Sequence, residues 1–283
     1  MKICRFDNDR LGVVLGDAVA DVTAVTESLP ARRWPLPDGD DFIAALPTLR
    51  NALEKAAADA PRRKLGEVTL LSPVANPRKV IAVPVNYVAH QDEANADRGI
   101  TFGKATALVE KLGFFLKAPT SVVGPDAGVQ IHHPDRRTDH EIELALVIGK
   151  RARNVAEKDA FDYVAGYCCG LDMTVRGEED RSWRKSLDTF TVLGPWLVTA
   201  DEFGPPDAIG LVLKVDGEIR QNANTRDLVW NIPRIIAFAS TSYTLEPGDV
   251  ILTGTPEGVG PVVPGNVMDV AIDRIGCMRV AVR

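Results

Sequence analysis

The sequence predicts an α+β chain in which strands dominate. Short apolar or alternating runs recur along it, among them residues 79–83, 211–215, 250–253 and 267–272. Turn signals separate these runs, most sharply Asp216-Gly217, the kind of pair that closes a two-residue hairpin. Helical spacing is confined to a few segments: residues 41–46 and 49–60 on either side of Pro47, residues 156–164, and the stretch that follows Asn231.

With 283 residues, 45% of them hydrophobic, the chain can bury a large core, as one large domain or as a small one plus a large one. The formal net charge of -6 disfavours non-specific binding to nucleic acid. No apolar run reaches the roughly 18 residues that a membrane span requires. Met1 to Phe6 reads as a first strand rather than as a signal peptide. The cysteines are Cys4, the adjacent pair Cys168-Cys169, and Cys277. Their spacing suits neither a metal site nor a disulfide framework, so free thiols in a reducing, cytoplasmic setting are expected.

In chain order, residues 1–27 alternate and turn as a small hairpin, and the two helical pieces around Pro47 follow. Residues 60–64 are polar and read as a connection. A boundary near residues 70–76 divides a small N-terminal domain, 1–72, from a larger one, 73–283. The strand at 79–83 leads into His90 and Glu93, three apart and therefore on one face of a helical turn. A carboxylate there would orient the imidazole and raise its basicity, as a general base acting on water requires, although a surface histidine beside a solvated acid gives the same spacing. Residues 93–111 are rich in Ala, Gly and charge, the composition of a mobile lid and equally of an exposed connection. Phe114 to Pro119 reads as strand into turn, with Lys117 and Ser121 available to a site or to the fold.

The stretch from 139 to 150 is the most informative. Read as one strand, it sets Glu141, Glu143, Ala145 and Val147 on one face and Ile142, Leu144, Leu146 and Ile148 on the other. Two carboxylates about 7 Å apart along a buried face need a counter-charge, and a hard divalent cation supplies one; a solvated strand end would carry the same residues. Residues 166–172 form a second apolar strand that ends in Asp172, a third oxygen donor. Three carboxylates against a divalent cation leave one negative charge, for which Lys185, Arg176 and Arg181 are the candidate partners. Near the C-terminus, a strand at 250–253 ends in Gly254-Thr255-Pro256-Glu257-Gly258-Val259-Gly260, where backbone amides and a hydroxyl can approach an anion. It lacks the Gly-Lys-Ser/Thr ending of a phosphate loop.

Taken together, these residues resemble the fumarylacetoacetate hydrolase family. The matching pieces are Asn86-Tyr87 with His90 and Glu93, Phe115-Leu116-Lys117, Glu141-Ile142-Glu143, Gly166-Tyr167 with Asp172, Lys185-Ser186, Gln221 with Asn224-Thr225, and Thr253-Gly254-Thr255-Pro256. They occur in the family's order over roughly residues 70–283. The resemblance implies a mixed β-roll or sandwich core behind a small α+β N-terminal domain, usually as a homodimer. It implies Mg2+ or Mn2+ on Glu141, Glu143 and Asp172, with Ca2+ as a non-native occupant. It implies that His90 and Glu93 activate water, that Lys185 is catalytic, and that Thr255, Gly254, Tyr87, Lys117 and Arg176 meet a small carboxylic-acid substrate.

The activity implied is hydrolysis of a carbon–carbon bond in a 2-oxo or 1,3-diketo acid, acylpyruvate- or fumarylacetoacetate-like, of the kind met in aromatic-compound breakdown. An oxaloacetate-type decarboxylase or a 2-hydroxymuconate-type isomerase would use the same scaffold, and a non-catalytic metal- or small-acid-binding protein would keep the three acids without the base. The chain departs from the family pattern at Val175-Arg176-Gly177-Glu178-Glu179, just after the third acid, and the segment from Asp172 to Lys185 is short.

Overall fold

Residues 1–36 and 38–283 are described by a computed structural model. The fold is a sheet-rich α+β arrangement with few helices. Among the described residues the largest sheet has 12 strands. Its main path runs from Arg62–Lys64 through Ala18–Asp21, Arg10–Leu15 and Lys2–Phe6 to Thr191–Thr199, Val164–Asp172 and Ile142–Ile148. It then continues to Val250–Leu252, Val80–Ala82 and the edge strand Phe115–Lys117. A four-stranded antiparallel sheet, Glu218–Asn224, Gly210–Val215, Val267–Ile272 and Gly276–Ala281, packs beside it, and a three-stranded one joins Thr174–Val175, Thr138–His140 and Gly260–Pro261. The first residues are thus continuous with the main sheet, because Lys2 and Ile3 pair antiparallel with Val198 and Leu197.

Ile142–Ile148 is buried at every position, so neither of its faces is solvated. Ala145 and Val147 pack into the core beneath the helix Asp41–Asp59, with Ile43, Leu46 and Leu53. Ile142, Leu144, Leu146 and Ile148 pack the other way, onto the four-stranded sheet and the helix Ile232–Ser242. The single strand expected from 139 to 150 is in fact two, because Thr138–His140 belongs to the three-stranded sheet and Ile142–Ile148 to the large one. Glu141 stands at the crossing.

Three other expectations are corrected. The helix does not break at Pro47: it runs unbroken from Asp41 to Asp59, capped by Asp40. One missing N–H is offset by a continuous inner face of Ile43, Leu46, Leu53 and Ala57. The polar connection includes a strand, Arg62–Lys64, whose exposed basic side chains suit the sheet edge it occupies. Residues 156–164 hold a 3-10 helix, Glu157–Tyr163, rather than a regular one. The hairpin at Asp216-Gly217 and the helix capped by Asn231 form as expected.

The two strands that lead to Val83 and Thr255 are pinned at their start by Asp249, whose carboxylate is fully buried. It accepts 2.9 Å from the Lys79 backbone N–H, 2.7 Å from that of Glu246 and 2.7 Å from Lys79 Nζ. These bonds pin the parallel pairing of Val250–Leu252 with Val80–Ala82. Replacing Asp249 by Ala strands two amides and an ammonium, and is expected to cost about 3 kcal/mol of stability in denaturant unfolding. A change under about 0.5 kcal/mol, the scale of a surface substitution, would contradict this role.

Candidate active site

Three backbone elements deliver the acids. Glu141 sits at the crossing between sheets, Glu143 follows two residues on, and Asp172 ends the neighbouring strand Val164–Asp172. The Asp172 N–H donates 2.9 Å to the Glu141 carbonyl, which brings the strand end against the crossing. The ligand oxygens of Glu141, Glu143 and Asp172 lie within 4.8 Å of one another, and all three residues are buried.

Cations brace them. Lys185 Nζ donates 2.6 Å to Glu141 Oε2, 2.7 Å to Asp172 Oδ2 and 2.6 Å to Thr174 Oγ1, which uses all three of its protons. Lys117, wholly buried, pairs with the other Asp172 oxygen and donates 3.0 Å to the Phe190 carbonyl. Arg176 spans Asp139 Oδ2 at 2.8 Å and Glu141 Oε1 at 3.0 Å, and Arg137 completes the Asp139 pair at 2.7 Å. Glu143 receives the Gly254 N–H at 2.6 Å. Gly254 has φ +101°, and a Cβ there would come within 2.7 Å of Asn86 Cβ, so only glycine lets this amide reach the carboxylate.

These surroundings split the two glutamates. Burial works to raise Glu141, but Lys185 and Arg176 more than offset it and hold its carboxyl well below the usual range. Burial, with Asp172 and Glu141 as like-charged neighbours, pushes Glu143 well above its usual range. Burial lowers Lys117, against the pull of Asp172.

On the opposite wall, the helix Val88–Ala96 presents His90 and Glu93. His90 Nδ1 lies 3.1 Å from Glu93 Oε2, and Glu93 Oε1 accepts 2.9 Å from the Gly258 N–H. The carboxylate is thus held at both ends, and Nε2 is left for a water. Gln221 ties the Gly-rich turn to the strand crossing: its Oε1 accepts from Ile142 N at 3.0 Å and faces His140 Nδ1 at 3.1 Å, while its Nε2 donates 2.8 Å to Thr255 Oγ1. Because Gln221 Oε1 is an acceptor, His140 Nδ1 is the donor in that bond, and burial lowers the ring's affinity for a second proton. Because Thr255 Oγ1 accepts from Gln221, its own proton is available to the cavity.

The cavity has a volume of about 310 Å³ and is lined by His90, the three acids, Lys185, Arg176 and Thr255, with residues 100–102 and 104–107 along one side. Tyr87, Lys117 and Gly254 stand behind these walls rather than in them. Among the described residues the Tyr87 hydroxyl is buried without a hydrogen-bond partner. Ser121 does not face the site: it bonds Thr191 Oγ1 and the Ala118 carbonyl and serves the fold. Thr174 and Gln221 as a positioning group are not marked by their residue types, and only the family's motif order points to Gln221. The Gly258 amide belongs to the Gly-rich turn expected to approach an anion, and the anion it meets is Glu93.

An all-oxygen set of three buried carboxylates at this spacing fits a hard, six-coordinate divalent ion such as Mg2+ or Mn2+. A protonated Glu143 must lose its proton on binding the ion. Affinity for Mn2+ is therefore expected to rise with pH until Glu143 ionises, with about one proton released per ion below that point. Calorimetry in buffers of different ionisation enthalpy checks this. Glu143→Gln should abolish the release, and a pH-independent affinity in the native protein would contradict the account.

Residues 79–283 match the family model described as fumarylacetoacetate (FAA) hydrolase C-terminal. The chain is 55% identical to maleylpyruvate hydrolase of Aquipseudomonas alcaligenes, over 100% of this chain and 99% of that protein. It is 36% identical to the mitochondrial oxaloacetate tautomerase of Xenopus laevis, over 98% of this chain and 89% of that one. The crystal structure of maleylpyruvate hydrolase from Sphingobium sp. SYK-6 in complex with manganese(II) ion and pyruvate superposes with a TM-score of 0.84 at 45% identity, covering 100% of this chain and 98% of that one. The chain belongs to the fumarylacetoacetate hydrolase family.

Proposed function

We propose that the protein is a divalent-metal-dependent hydrolase that splits an acylpyruvate, with maleylpyruvate the foremost candidate. The observation that carries this reading is the buried trio Glu141, Glu143 and Asp172 facing a His90–Glu93 pair across one cavity. Similarity to two maleylpyruvate hydrolases, one of them in complex with manganese and pyruvate, supports it.

The reaction adds water across one carbon–carbon bond: the acyl group leaves as a carboxylate and the remainder as pyruvate. A Mg2+ or Mn2+ held by the three acids would supply a Lewis acid for the 2-oxo-carboxylate end and for the negative charge left there when the bond breaks. His90 Nε2 takes a proton from water, which adds to the distal carbonyl, while Glu93 stabilises the imidazolium that forms. The proton held on His90 is then returned to the methylene carbon, which becomes the methyl of pyruvate. Thr255 Oγ1 donates to a substrate oxygen, its orientation set by Gln221. Lys185 acts as a fixed positive charge in the wall, with its donors committed to Glu141, Asp172 and Thr174.

The division into residues 1–72 and 73–283 is part of the same proposal: residues 79–283 match the family model, while the first strands extend the edge of the main sheet. So are a homodimer, which rests on the family pattern, and a cytoplasmic setting, which rests on four free cysteines. Among the described residues no helix is long and apolar enough to cross a membrane.

The test is turnover of acetylpyruvate, maleylpyruvate and oxaloacetate side by side, before and after chelation. Metal-dependent formation of pyruvate with acetate or maleate is expected. Turnover of oxaloacetate alone would overturn the hydrolase and favour a decarboxylase or tautomerase. His90→Ala is expected to lower kcat for hydrolysis by roughly 100-fold or more, the usual worth of a general base, while leaving Mn2+ affinity intact. An unchanged kcat would remove His90 from the chemistry.

A further inference from the structure

The geometry points to Arg181 and Arg184 as the recognition site for a second carboxylate on the substrate, at the end remote from the pyruvate moiety; this rests on the acylpyruvate reading above. Both residues line the same cavity as the three acids, and both are only partly exposed. Among the described residues neither guanidinium forms an ion pair, in a site where Lys117, Lys185, Arg176 and Arg137 all do. The Arg181 side chain makes no hydrogen bond there and lies over the Phe115 ring, 5.4 Å from its centroid, which supports the flat face and leaves the edge donors free. Arg184 spends only its Nε, 2.9 Å from the Glu179 carbonyl, and keeps its two terminal nitrogens.

The acids in this part of the wall are already engaged. Glu179 is held bidentately by Arg136 at 2.8 and 2.9 Å, and Glu178 faces Lys104 at 3.6 Å. The Arg136–Glu179 pair packs over Gly177, where a Cβ would fall 1.9 Å from Arg136 Nη2 and 2.1 Å from Glu179 Oε2, the movable ends of two long side chains. Burial lowers the affinity of both Arg181 and Arg184 for their protons, and for Arg184 the neighbouring Arg176 and Arg181 lower it further. A cluster of partly desolvated, mutually repelling guanidiniums is relieved by one anion, and a planar carboxylate matches their forked donors. The three acids line the cavity from the strand ends and these arginines line it from the single helical turn Arg181–Arg184, with Glu141 within electrostatic reach of both, and a dicarboxylate would engage both groups. A monocarboxylate such as acetylpyruvate would leave the cluster unsatisfied.

The experiment compares kcat/KM for maleylpyruvate and for acetylpyruvate in the native protein and in the variants Arg181→Met, Arg184→Met and Arg181→Lys, with melting curves to confirm folding. The native protein is expected to prefer maleylpyruvate. Each Met variant should reduce the ratio of the two constants by about 10- to 100-fold, chiefly through KM, as the loss of charge-assisted hydrogen bonds implies. Arg181→Lys should recover part of that ratio, which a purely structural role would not produce. A native protein with no preference, or Met variants with an unchanged ratio, would overturn the subsite while leaving the hydrolase standing. If the native protein cleaves neither acid, the hydrolase reading fails. The ratio of the two dissociation constants by calorimetry, in the same four proteins, then decides the subsite by the same criterion.

Discussion

The buried ammonium of Lys185 is the contact on which the site depends. Three carboxylates within 4.8 Å of one another, all removed from water, would repel and protonate without positive charge among them. Lys185 joins Glu141 to Asp172 and to Thr174, Lys117 takes the far side of Asp172, and Arg176 shares itself between Glu141 and Asp139. Such pairs gain little net stability, because desolvation offsets most of their attraction. Their consequence is positional. Glu141 and Asp172 are held by direct cation contacts on their oxygens, whereas Glu143 carries a raised affinity for its proton and is the member left to change when a divalent ion enters.

The scaffold makes that arrangement possible through one discontinuity. Glu141 lies where the chain leaves a three-stranded sheet for the large one, so it and Glu143 need not project as a regular strand would set them. Gln221 accepts the Ile142 amide at this crossing and donates to Thr255, so the acids and the hydroxyl on the facing turn are positioned by one side chain. Asn86 performs a similar service from the other side, donating to the carbonyls of Thr253 and Trp230 next to the glycine that reaches Glu143. Glu93 then connects the histidine helix to the Gly258 amide of the same turn.

Much of this was legible in the residues. Acids on apolar strands, His90 three residues before Glu93, and a Gly-Thr-Pro turn after a strand are local signals with local causes, and their order added the family. What was not legible depends on partners far apart in the chain. The alternation from 139 to 150 continues through Glu141, so nothing in the pattern announces that the strand changes sheets there. Pro47 reads as a breaker because propensity weighs one lost bond, whereas the buried inner face of the helix weighs more. Arg62–Lys64 looks like a linker because an edge strand that avoids further pairing carries the same charges as a loop. Arg181 is a candidate counter-charge to the acids in the sequence, yet it makes no ion pair with them among the described residues, and nothing in the pattern marks Arg184 until the cavity beside both is visible.

The most direct test of the account is anomalous diffraction from crystals of the protein loaded with Mn2+. One manganese peak is expected within about 2.0–2.3 Å of a carboxylate oxygen from each of Glu141, Glu143 and Asp172, the distance range of hard divalent ions with oxygen, with Lys117 still on Asp172. Manganese bound elsewhere, or a site that stays empty while Lys185 keeps Glu141 and Asp172 to itself, would contradict it.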